Sequence, residues 1–341
     1  MKMSVLGKTG LRVSEIGFGG IPITRLPFER AAAVVRHCYE QGITFFDTAN
    51  GYRDSEKKIG SALESVRDKV ILATKTFARD AEKGSRHIEF SLQNLKTSMI
   101  DLYQLHQVAN EETLEKALAP GGVYEALDKA RSDKQIRFTG ISSHNIDTAI
   151  KACHTGLFDT VQIPFNLIEH EPAGELFEAA QAKDMGVIAM KPMAGGLLDR
   201  IDLCFRFLQQ YPFVVPIPGV EAEEEMDQII ELYRSHLPLN QRDWDDIHKI
   251  RAEMGQKFCH RCEYCMPCEK GVQIHTILGF RSISKRFPPA TVISMIDKAM
   301  KSIENCEDCR ECVSKCPYEL PIPDLLKEIQ GLFSEFLKQY T

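Results

Sequence analysis

The amino-acid sequence predicts an α/β fold in which a (β/α)8 TIM barrel is followed by a second, smaller, α-helical domain. Short runs rich in β-branched residues alternate with amphipathic segments as far as about residue 236, a pattern typical of strands and helices around a parallel sheet. Eight such units in about 235 residues favour a closed barrel over an open doubly wound sheet, which is normally smaller. Beyond the eighth unit the composition changes, because eight of the 11 cysteines lie between residues 259 and 316.

Each predicted barrel strand is followed by a helical pattern. The predicted strands cover residues 15–20, 44–49, 70–75, 101–106, 138–143, 160–165, 186–191 and 214–219. Before them, the segment SVLGKTGLRVS predicts a two-stranded hairpin with a glycine-containing turn. A helix predicted at about 241–256 links the barrel to the second domain, so the predicted domains are residues 1–238 and 239–341.

The charge balance excludes two classes of partner. With 42 basic and 48 acidic residues the formal net charge is −6, which provides no attraction for nucleic acid or for an anionic membrane surface. Partners are therefore expected to be small molecules or proteins. The segment MKMSVLGKTG lacks the apolar region of a secretory signal, and no run of about 18 apolar residues occurs, so a cytoplasmic location is expected. The isolated cysteines Cys38, Cys153 and Cys204 are predicted to be buried.

Polar side chains are predicted where the barrel strands end. In such barrels the carboxyl ends of all eight strands meet at one rim, where catalytic residues are found. Any one of these residues alone has a structural explanation, such as a helix cap or a buried hydrogen bond. Their concentration on one rim favours a catalytic site. The residues are Asp47, Lys75, His106, His144, Asn166 and Lys191.

Four segments together resemble the aldo/keto reductase superfamily. They are FFDTANGY, SEKKIG, ILATK and DLYQLH, and their order and spacing match over residues 4 to about 235. The resemblance implies an NAD(P)H-dependent reductase of an aldehyde or ketone, whose catalytic tetrad is Asp47, Tyr52, Lys75 and His106. It also places the coenzyme at Gly20, Ser142, Ser143, Gln162, Met190, Lys191 and Gly219.

Acid–base chemistry agrees with these roles. A free phenol titrates near pH 10, so Tyr52 needs a nearby cation if it is to protonate a carbonyl oxygen at neutral pH. Lys75 can supply that cation, and Asp47 is the expected counter-ion of Lys75. His106 is expected to bind the substrate carbonyl and orient it.

The coenzyme-binding segments depart from the family at three points. Ser143 stands where the family has asparagine, and Met190 stands where an aromatic side chain usually stacks on the nicotinamide. After the eighth strand, four glutamates replace the basic residues that grip the 2′-phosphate of NADPH. They would repel a phosphate, so NADH is expected at least as readily as NADPH, although the helix that begins near the first of them could still bind a pyrophosphate. The glutamates are Glu221, Glu223, Glu224 and Glu225.

The remaining cysteines form two motifs that are typical of [4Fe–4S] ligation. The second motif has the C-x2-C-x2-C-x3-C-P form of bacterial ferredoxins, in which the fourth cysteine ligates the other cluster. The first cluster is therefore assigned Cys259, Cys262, Cys265 and Cys316, and the second is assigned Cys268, Cys306, Cys309 and Cys312. The first motif has x2 before its last cysteine and lacks the usual proline after it, so a three-iron or labile second cluster is the expectation if that cysteine cannot reach.

Zinc and disulfides are the competing interpretations of the cysteines. Structural zinc uses two CxxC pairs and would leave surplus ligands, whereas disulfides do not suit a cytoplasmic chain. The 37 residues between the motifs have helical apolar spacing and resemble an α-helical ferredoxin-like module.

The fusion of a barrel with two clusters leaves several roles open. Hydride transfer moves two electrons whereas each cluster moves one, so direct coupling would need a mediator such as flavin, for which no motif is visible. The clusters could pass electrons between a redox protein and the barrel, sense redox state or oxygen, or mainly hold the helical domain over the active site. The alternative function is a redox-sensing or electron-transfer protein that uses the barrel as a ligand-binding platform.

Overall fold

The structure is a computed structural model in which residues 1–340 are described. The chain forms two compact units. The first contains Met1–Met193 and Arg200–Pro238, and the second contains Ala194–Asp199 and the chain from Leu239 onward. Residues 194–199 therefore group with the second unit, although the chain on both sides of them groups with the first.

Within residues 1–340, eight parallel strands follow one another in the sheet in chain order. The first and last of them are joined by backbone hydrogen bonds of 2.8 Å from Gly17 N to Pro216 O and from Gly19 N to Pro218 O, which close the sheet. The predicted (β/α)8 barrel is confirmed. The strands are β3 (Phe18–Gly19), β4 (Phe45–Asp47), β5 (Ile71–Thr76), β6 (Ile100–Leu105), β7 (Ile136–Ser142), β8 (Thr160–Pro164), β9 (Gly186–Met190) and β10 (Val214–Pro216).

The predicted hairpin is also confirmed and seals one end of the barrel. Strands β1 (Met3–Val5) and β2 (Arg12–Ser14) pair antiparallel. Apolar side chains of the hairpin region form one buried cluster with inward-facing side chains of the barrel strands, a burial that contributes about 1.5–3 kcal/mol for each large aliphatic side chain. Gly7, at φ +52°, lies against Gly186, where an added Cβ would be 2.3 Å from the backbone nitrogen.

Helices follow each barrel strand, and β6 is followed by two of them. Their ends use local capping: the Asp80 side chain accepts a hydrogen bond from Lys83 N at 2.9 Å at the start of α3, and Gly156 adopts φ +71° after α6. Cys38, Cys153 and Cys204 are buried among these helices, as predicted. The helices are α1 (Phe28–Glu40), α2 (Ser55–Leu63), α3 (Ala81–Asn94), α4 (Glu111–Leu118), α5 (Val123–Ser132), α6 (Ile146–Thr155), α7 (Glu175–Ala182), α8 (Ile201–Leu208) and α9 (Glu223–Ser235).

The second unit is helical around its own apolar core. The core contains Ile277, Ile296 and Ile329, each at most 2% exposed, and several motif cysteines pack against it. No helix among the described residues is both long enough and apolar enough to cross a membrane. The helices are α10 (Gln241–Gly255), α11 (Ile274–Leu278), α12 (Phe280–Arg286), α13 (Pro289–Lys301), α14 (Glu311–Ser314) and α15 (Ile322–Tyr340).

Candidate functional site

Asp47 and Lys75 form a buried ion pair inside the barrel. Adjacent parallel strands carry them, and both side chains point inward because side chains alternate between the two faces of a strand. Lys75 Nζ donates to Asp47 Oδ2 and to Thr48 O, each at 2.6 Å, and the exposed fractions of Lys75 and Asp47 are 1% and 2%. Burial raises the pKa of Asp47 and lowers the pKa of Lys75, while the ion pair opposes both shifts.

Gln104 extends this pair across the barrel. Its Nε2 donates to Asp47 Oδ1 at 3.1 Å and to Gln162 Oε1 at 3.0 Å, so it links the carboxylate to a predicted coenzyme-binding residue. Gln104 is not among the residues predicted from the sequence. A polar residue inside the strand that leads to His106 is the sequence signal that could have identified it.

Tyr52 reaches this pair from the loop after β4. The loop is a tight turn in which Tyr52 N donates to Ala49 O and Ser55 N donates to Tyr52 O, each at 2.9 Å. Lys75 Nζ lies 5.3 Å from the centroid of the Tyr52 ring. The Tyr52 hydroxyl lies 3.3 Å from His106 Nε2. The structure therefore brings the four predicted tetrad residues together.

His106 follows β6 and is held as a neutral imidazole. Burial lowers the pKa of His106 well below its ordinary value, and the positive charges of Lys75 and Arg79 lower it further. Its Nδ1 has no hydrogen-bond partner within residues 1–340. Its ring stacks on Phe77, with centroids 4.0 Å apart, and Phe77 remains 48% exposed.

The SEKKIG segment supports the site from behind. Ser55 Oγ donates to Gly20 O at 2.7 Å, and the buried Lys58 Nζ donates to Ile23 O and Leu26 O, which fixes the loop after β3. Glu56, 2% exposed, accepts a hydrogen bond from the Thr74 hydroxyl at 2.7 Å, next to Lys75. The buried polar residues of this segment therefore stabilise the loop after β3 and strand β5.

Two of the predicted coenzyme-binding residues, Ser142 and Gln162, are paired in register on neighbouring strands. The Ser142 hydroxyl oxygen accepts a hydrogen bond from Gln107 N at 3.0 Å, and its hydroxyl proton has no acceptor among the described residues. Gln162 is held by Gln104. Both side chains are almost fully buried at the catalytic end of the barrel.

Other predicted residues have structural bonds of their own. The Ser143 hydroxyl donates toward Val108 O at 2.7 Å and accepts from Asn145 N at 3.0 Å, so it holds two loops. Asn166 Nδ2 donates to Lys191 O at 3.0 Å, which joins the ends of β8 and β9. Met190 packs against the barrel core, and His144 is half-buried after β7.

Gly20 and Gly219 lie where the backbone is crowded. A Cβ on Gly20 would be 2.6 Å from Ser55 Oγ, and one on Gly219 would be 2.6 Å from the Pro22 ring. Both positions therefore need glycine for packing, whatever their role toward a coenzyme.

Two arginines meet the glutamates after β10. Arg25 Nε lies 3.1 Å from Glu221 Oε1, and Arg30 forms a bidentate pair with Glu223. Glu225 Oε2 accepts hydrogen bonds from Glu221 N at 2.7 Å and from Ala222 N at 3.2 Å. Two backbone N–H groups immediately before helix α9 are thus already used by a carboxylate of the same helix.

The two cysteine motifs share one backbone conformation. The residues on either side of each middle cysteine have positive φ, namely Arg261 and Glu263 around Cys262, and Asp308 and Arg310 around Cys309. Successive residues in such conformations can turn their N–H groups toward one anionic group. This backbone suits the sulfide-rich face of an iron–sulfur cluster.

Two cavities separate the cysteines into two sets. One, with an empty volume of about 330 Å³, is lined by Cys259, Cys262, Cys265 and Cys316, which we call cluster site I. The other, of about 600 Å³, is lined by Cys268, Cys306, Cys309 and Cys312, which we call cluster site II, and Cys265 also borders it. Each cavity is thus lined by the four cysteines that the sequence analysis assigns to one cluster.

Comparison with protein families matches both parts of the chain. The aldo/keto reductase family matches residues 15–203, and the 4Fe-4S dicluster domain matches residues 258–321. The L-galactose dehydrogenase of Arabidopsis thaliana is 28% identical over 228 residues, covering 58% of this chain and 67% of the relative. The uncharacterized oxidoreductase YrpG of Bacillus subtilis (strain 168) is 30% identical over 231 residues, covering 58% and 68%.

Solved structures share the barrel fold. An aldo-keto reductase from Klebsiella pneumoniae in complex with NADPH superposes with a TM-score of 0.64 at 22% identity, covering 74% of this chain and 95% of that one. The holo form of aldo-keto reductase AKR11C1 from Bacillus halodurans superposes with a TM-score of 0.63 at 23% identity, covering 73% and 96%. The parallel eight-stranded architecture is therefore common to these proteins.

Proposed function

The chain belongs to the aldo/keto reductase family, and we propose from this that its barrel reduces an aldehyde or ketone with NAD(P)H, using Asp47, Tyr52, Lys75 and His106. The observation that carries the proposal is the buried Lys75–Asp47 pair, at 2.6 Å, beside the phenol of Tyr52. A buried ammonium group has one effect that a surface lysine lacks: it stabilises a phenolate in a medium of low dielectric constant.

The four side chains divide the chemistry between them. Tyr52 donates a proton from its hydroxyl to the carbonyl oxygen of the substrate, and Lys75 stabilises the phenolate that remains. Asp47 keeps Lys75 charged in spite of burial. Neutral His106, 3.3 Å from the Tyr52 hydroxyl, is positioned to hydrogen-bond the same carbonyl oxygen and fix its direction.

The residues present fit a nicotinamide coenzyme. Ser142 has a hydroxyl proton that is free to donate to a carboxamide oxygen, and Gln162 lies beside it in register. NAD(P)H, when bound, supplies a hydride to the carbonyl carbon. Gly20, Ser143, Met190, Lys191 and Gly219 remain proposed members of the same site.

The second unit contains a 4Fe-4S dicluster domain, and we propose two [4Fe–4S] clusters held by cluster sites I and II. The matching backbone conformations and the two cavities support one cluster at each site. Cys268 borders the same cavity as the three cysteines of the second motif, which supports four ligands there and argues against a three-iron cluster.

Replacement of Tyr52 by phenylalanine tests the reductase. Tyr52→Phe should lower kcat/KM for aldehyde reduction by roughly 100-fold or more, because it removes the proton donor and little volume. Tyr124→Phe is the matched control, since the Tyr124 hydroxyl donates to Leu157 O at 2.8 Å, outside the proposed site. Equal activity of Tyr52→Phe and the wild type would refute the proposal.

One observation favours electron exchange with a redox protein as an additional role. Cys306 and Cys309 of cluster site II are exposed, whereas the cysteines of cluster site I are partly buried. An exposed cluster is within reach of an external one-electron carrier. Stopped-flow mixing of the dithionite-reduced protein with cytochrome c tests this role, with cluster oxidation followed by the change in absorbance. An absence of electron transfer would contradict it.

A further inference from the structure

Arg79 is a half-buried cation without a carboxylate partner. It lies in the loop between β5 and α3, and no acidic side chain of residues 1–340 forms an ion pair with it. The adjacent Asp80 is already used, because its carboxylate accepts a hydrogen bond from Lys83 N and lies 3.6 Å from Lys83 Nζ. Burial lowers the pKa of Arg79 to about 10, so the guanidinium stays charged at neutral pH.

Backbone carbonyl groups hold the guanidinium next to the catalytic imidazole. Nη2 donates to His106 O at 2.6 Å and to Gln107 O at 3.0 Å, and Nη1 donates to Ala78 O at 2.9 Å. These three bonds use three of the five N–H donors of an arginine. The other two donors have no partner among the described residues, and no carboxylate of residues 1–340 neutralises the positive charge.

The surroundings of Arg79 belong to the mouth of the active site. Two residues earlier, Phe77 stacks on the His106 ring and leaves 48% of its surface exposed. A Cβ on Gly51, next to Tyr52, would be 2.8 Å from Phe77, so this ring lies between the tyrosine loop and the histidine. Loop 77–80 thus places an exposed aromatic face and a cation beside the atoms that receive the substrate carbonyl.

The two cations of this mouth differ in their partners. Lys75 is neutralised by Asp47, whereas no acidic side chain of residues 1–340 forms an ion pair with Arg79. Removing a charge from water without a partner is costly, and an anionic ligand would offset that cost on binding. The chain as a whole has a net charge of −6 and would repel anions, so a cation at the mouth of the site would attract them locally.

We propose that Arg79 binds a carboxylate of the substrate, and that the substrate of this barrel is an aldehyde or ketone that carries a carboxylate group. This inference rests on the proposed reductase function and names its substrate class. Phe77 contacts the carbon skeleton between the carboxylate and the carbonyl, and Arg79 is a substrate-binding residue that takes no part in proton transfer.

The test compares a charged and a neutral substrate of similar shape. The ratio of kcat/KM for 4-carboxybenzaldehyde to that for 4-nitrobenzaldehyde should fall by on the order of 10–100-fold in Arg79→Gln, the size expected for a lost hydrogen bond to a charged group. Arg79→Lys, which retains the charge, should retain most of the ratio. If both substrates lose activity equally in Arg79→Gln, the residue only holds His106 in place and the proposal is wrong.

A binding measurement separates this inference from the reductase proposal. In calorimetric titrations benzoate should bind the wild-type protein more tightly than benzamide does. The affinity of benzoate for Arg79→Gln should be at least tenfold lower than its affinity for the wild type. These affinities would support the anion site even if the protein reduced no aldehyde. A failure to reduce aldehydes would contradict only the proposed reductase function. Benzoate that binds no more tightly than benzamide, or that does not bind, would overturn the anion site.

Discussion

The buried Lys75–Asp47 pair makes a prediction about stability that can be worked from its geometry. Unit charges 2.6 Å apart attract by about 6 kcal/mol at an effective dielectric constant near 20, and desolvation of both groups opposes this attraction. In Asp47→Asn the amide faces an ammonium group that it cannot neutralise. Removing one member of such a pair typically costs about 3–5 kcal/mol, because the other charge stays buried.

The expected effect on unfolding is large. For a unit of this size each kcal/mol lowers the Tm by roughly 2–4 °C, so Asp47→Asn should lower the barrel transition by roughly 6–20 °C. Lys75→Met should be destabilised for the same reason, since it leaves a buried carboxylate. The double variant, Asp47→Asn with Lys75→Met, leaves neither charge and should be less destabilised than the sum of the single variants.

Differential scanning calorimetry of the four proteins at pH 7, with the clusters intact, measures this coupling. Spectroscopic confirmation of equal iron content is the necessary control, so that the second unit does not contribute to the difference. Additive losses in the double variant, within about 0.5 kcal/mol, would refute the reasoning, because the two residues would then not interact.

Three further predictions concern other parts of the molecule. The pKa of His106 is lowered on folding, so at low pH the unfolded chain binds a proton that the folded chain does not. The contribution of His106 to the free energy of unfolding should be fully present above about pH 6.5 and should fall below that pH by up to about 1.4 kcal/mol per pH unit. Urea unfolding of His106→Gln, measured across this pH range, should lack this part of the pH dependence. Glu221→Gln removes the carboxylate that lies 3.1 Å from Arg25, and it should raise kcat/KM for NADPH relative to NADH by on the order of 10-fold because less negative charge then opposes the 2′-phosphate. Glu224→Gln, with no ion pair to an arginine among the described residues, is the control, and equal NADPH/NADH ratios in the two variants would contradict a role of Glu221 in coenzyme preference. Cys268→Ala should reduce iron from about eight to about four atoms per chain, with little change in the buried-cysteine control Cys204→Ala, and an unchanged iron content would exclude Cys268 as a ligand.

The sequence predicted that Asp47, Lys75 and His106 lie on one rim because these residues stand at strand ends. That placement follows from two facts that a sequence carries, the period of the strands and the common rim of a parallel barrel, whereas the proposed tetrad itself came from the family resemblance. Tyr52 needed the resemblance as well, since nothing in a loop sequence fixes where its side chain turns.

The missed residues act through contacts that no local pattern encodes. Gln104 bonds to side chains from β4 and β8, far away in the chain, and Arg79 bonds to carbonyl groups beyond the next strand. Predicted strands 15–20 and 214–219 are only two and three residues long in the structure. Glu221 was expected to repel a phosphate, and its pairing with Arg25 appeared only when two loops were placed side by side.

The short segment between β9 and α8 also limits how the chain can be divided. Residues 194–199 group with the second unit, where Ser282 Oγ donates to Gly195 O at 3.4 Å and Lys285 Nζ donates to Gly196 O at 2.8 Å. The polypeptide thus passes between the units at three places instead of one. A recombinant fragment that stops at Pro238 would keep residues 194–199 and lose the side chains that donate hydrogen bonds to them. The barrel in such a fragment would therefore differ from the barrel in the whole chain at this segment.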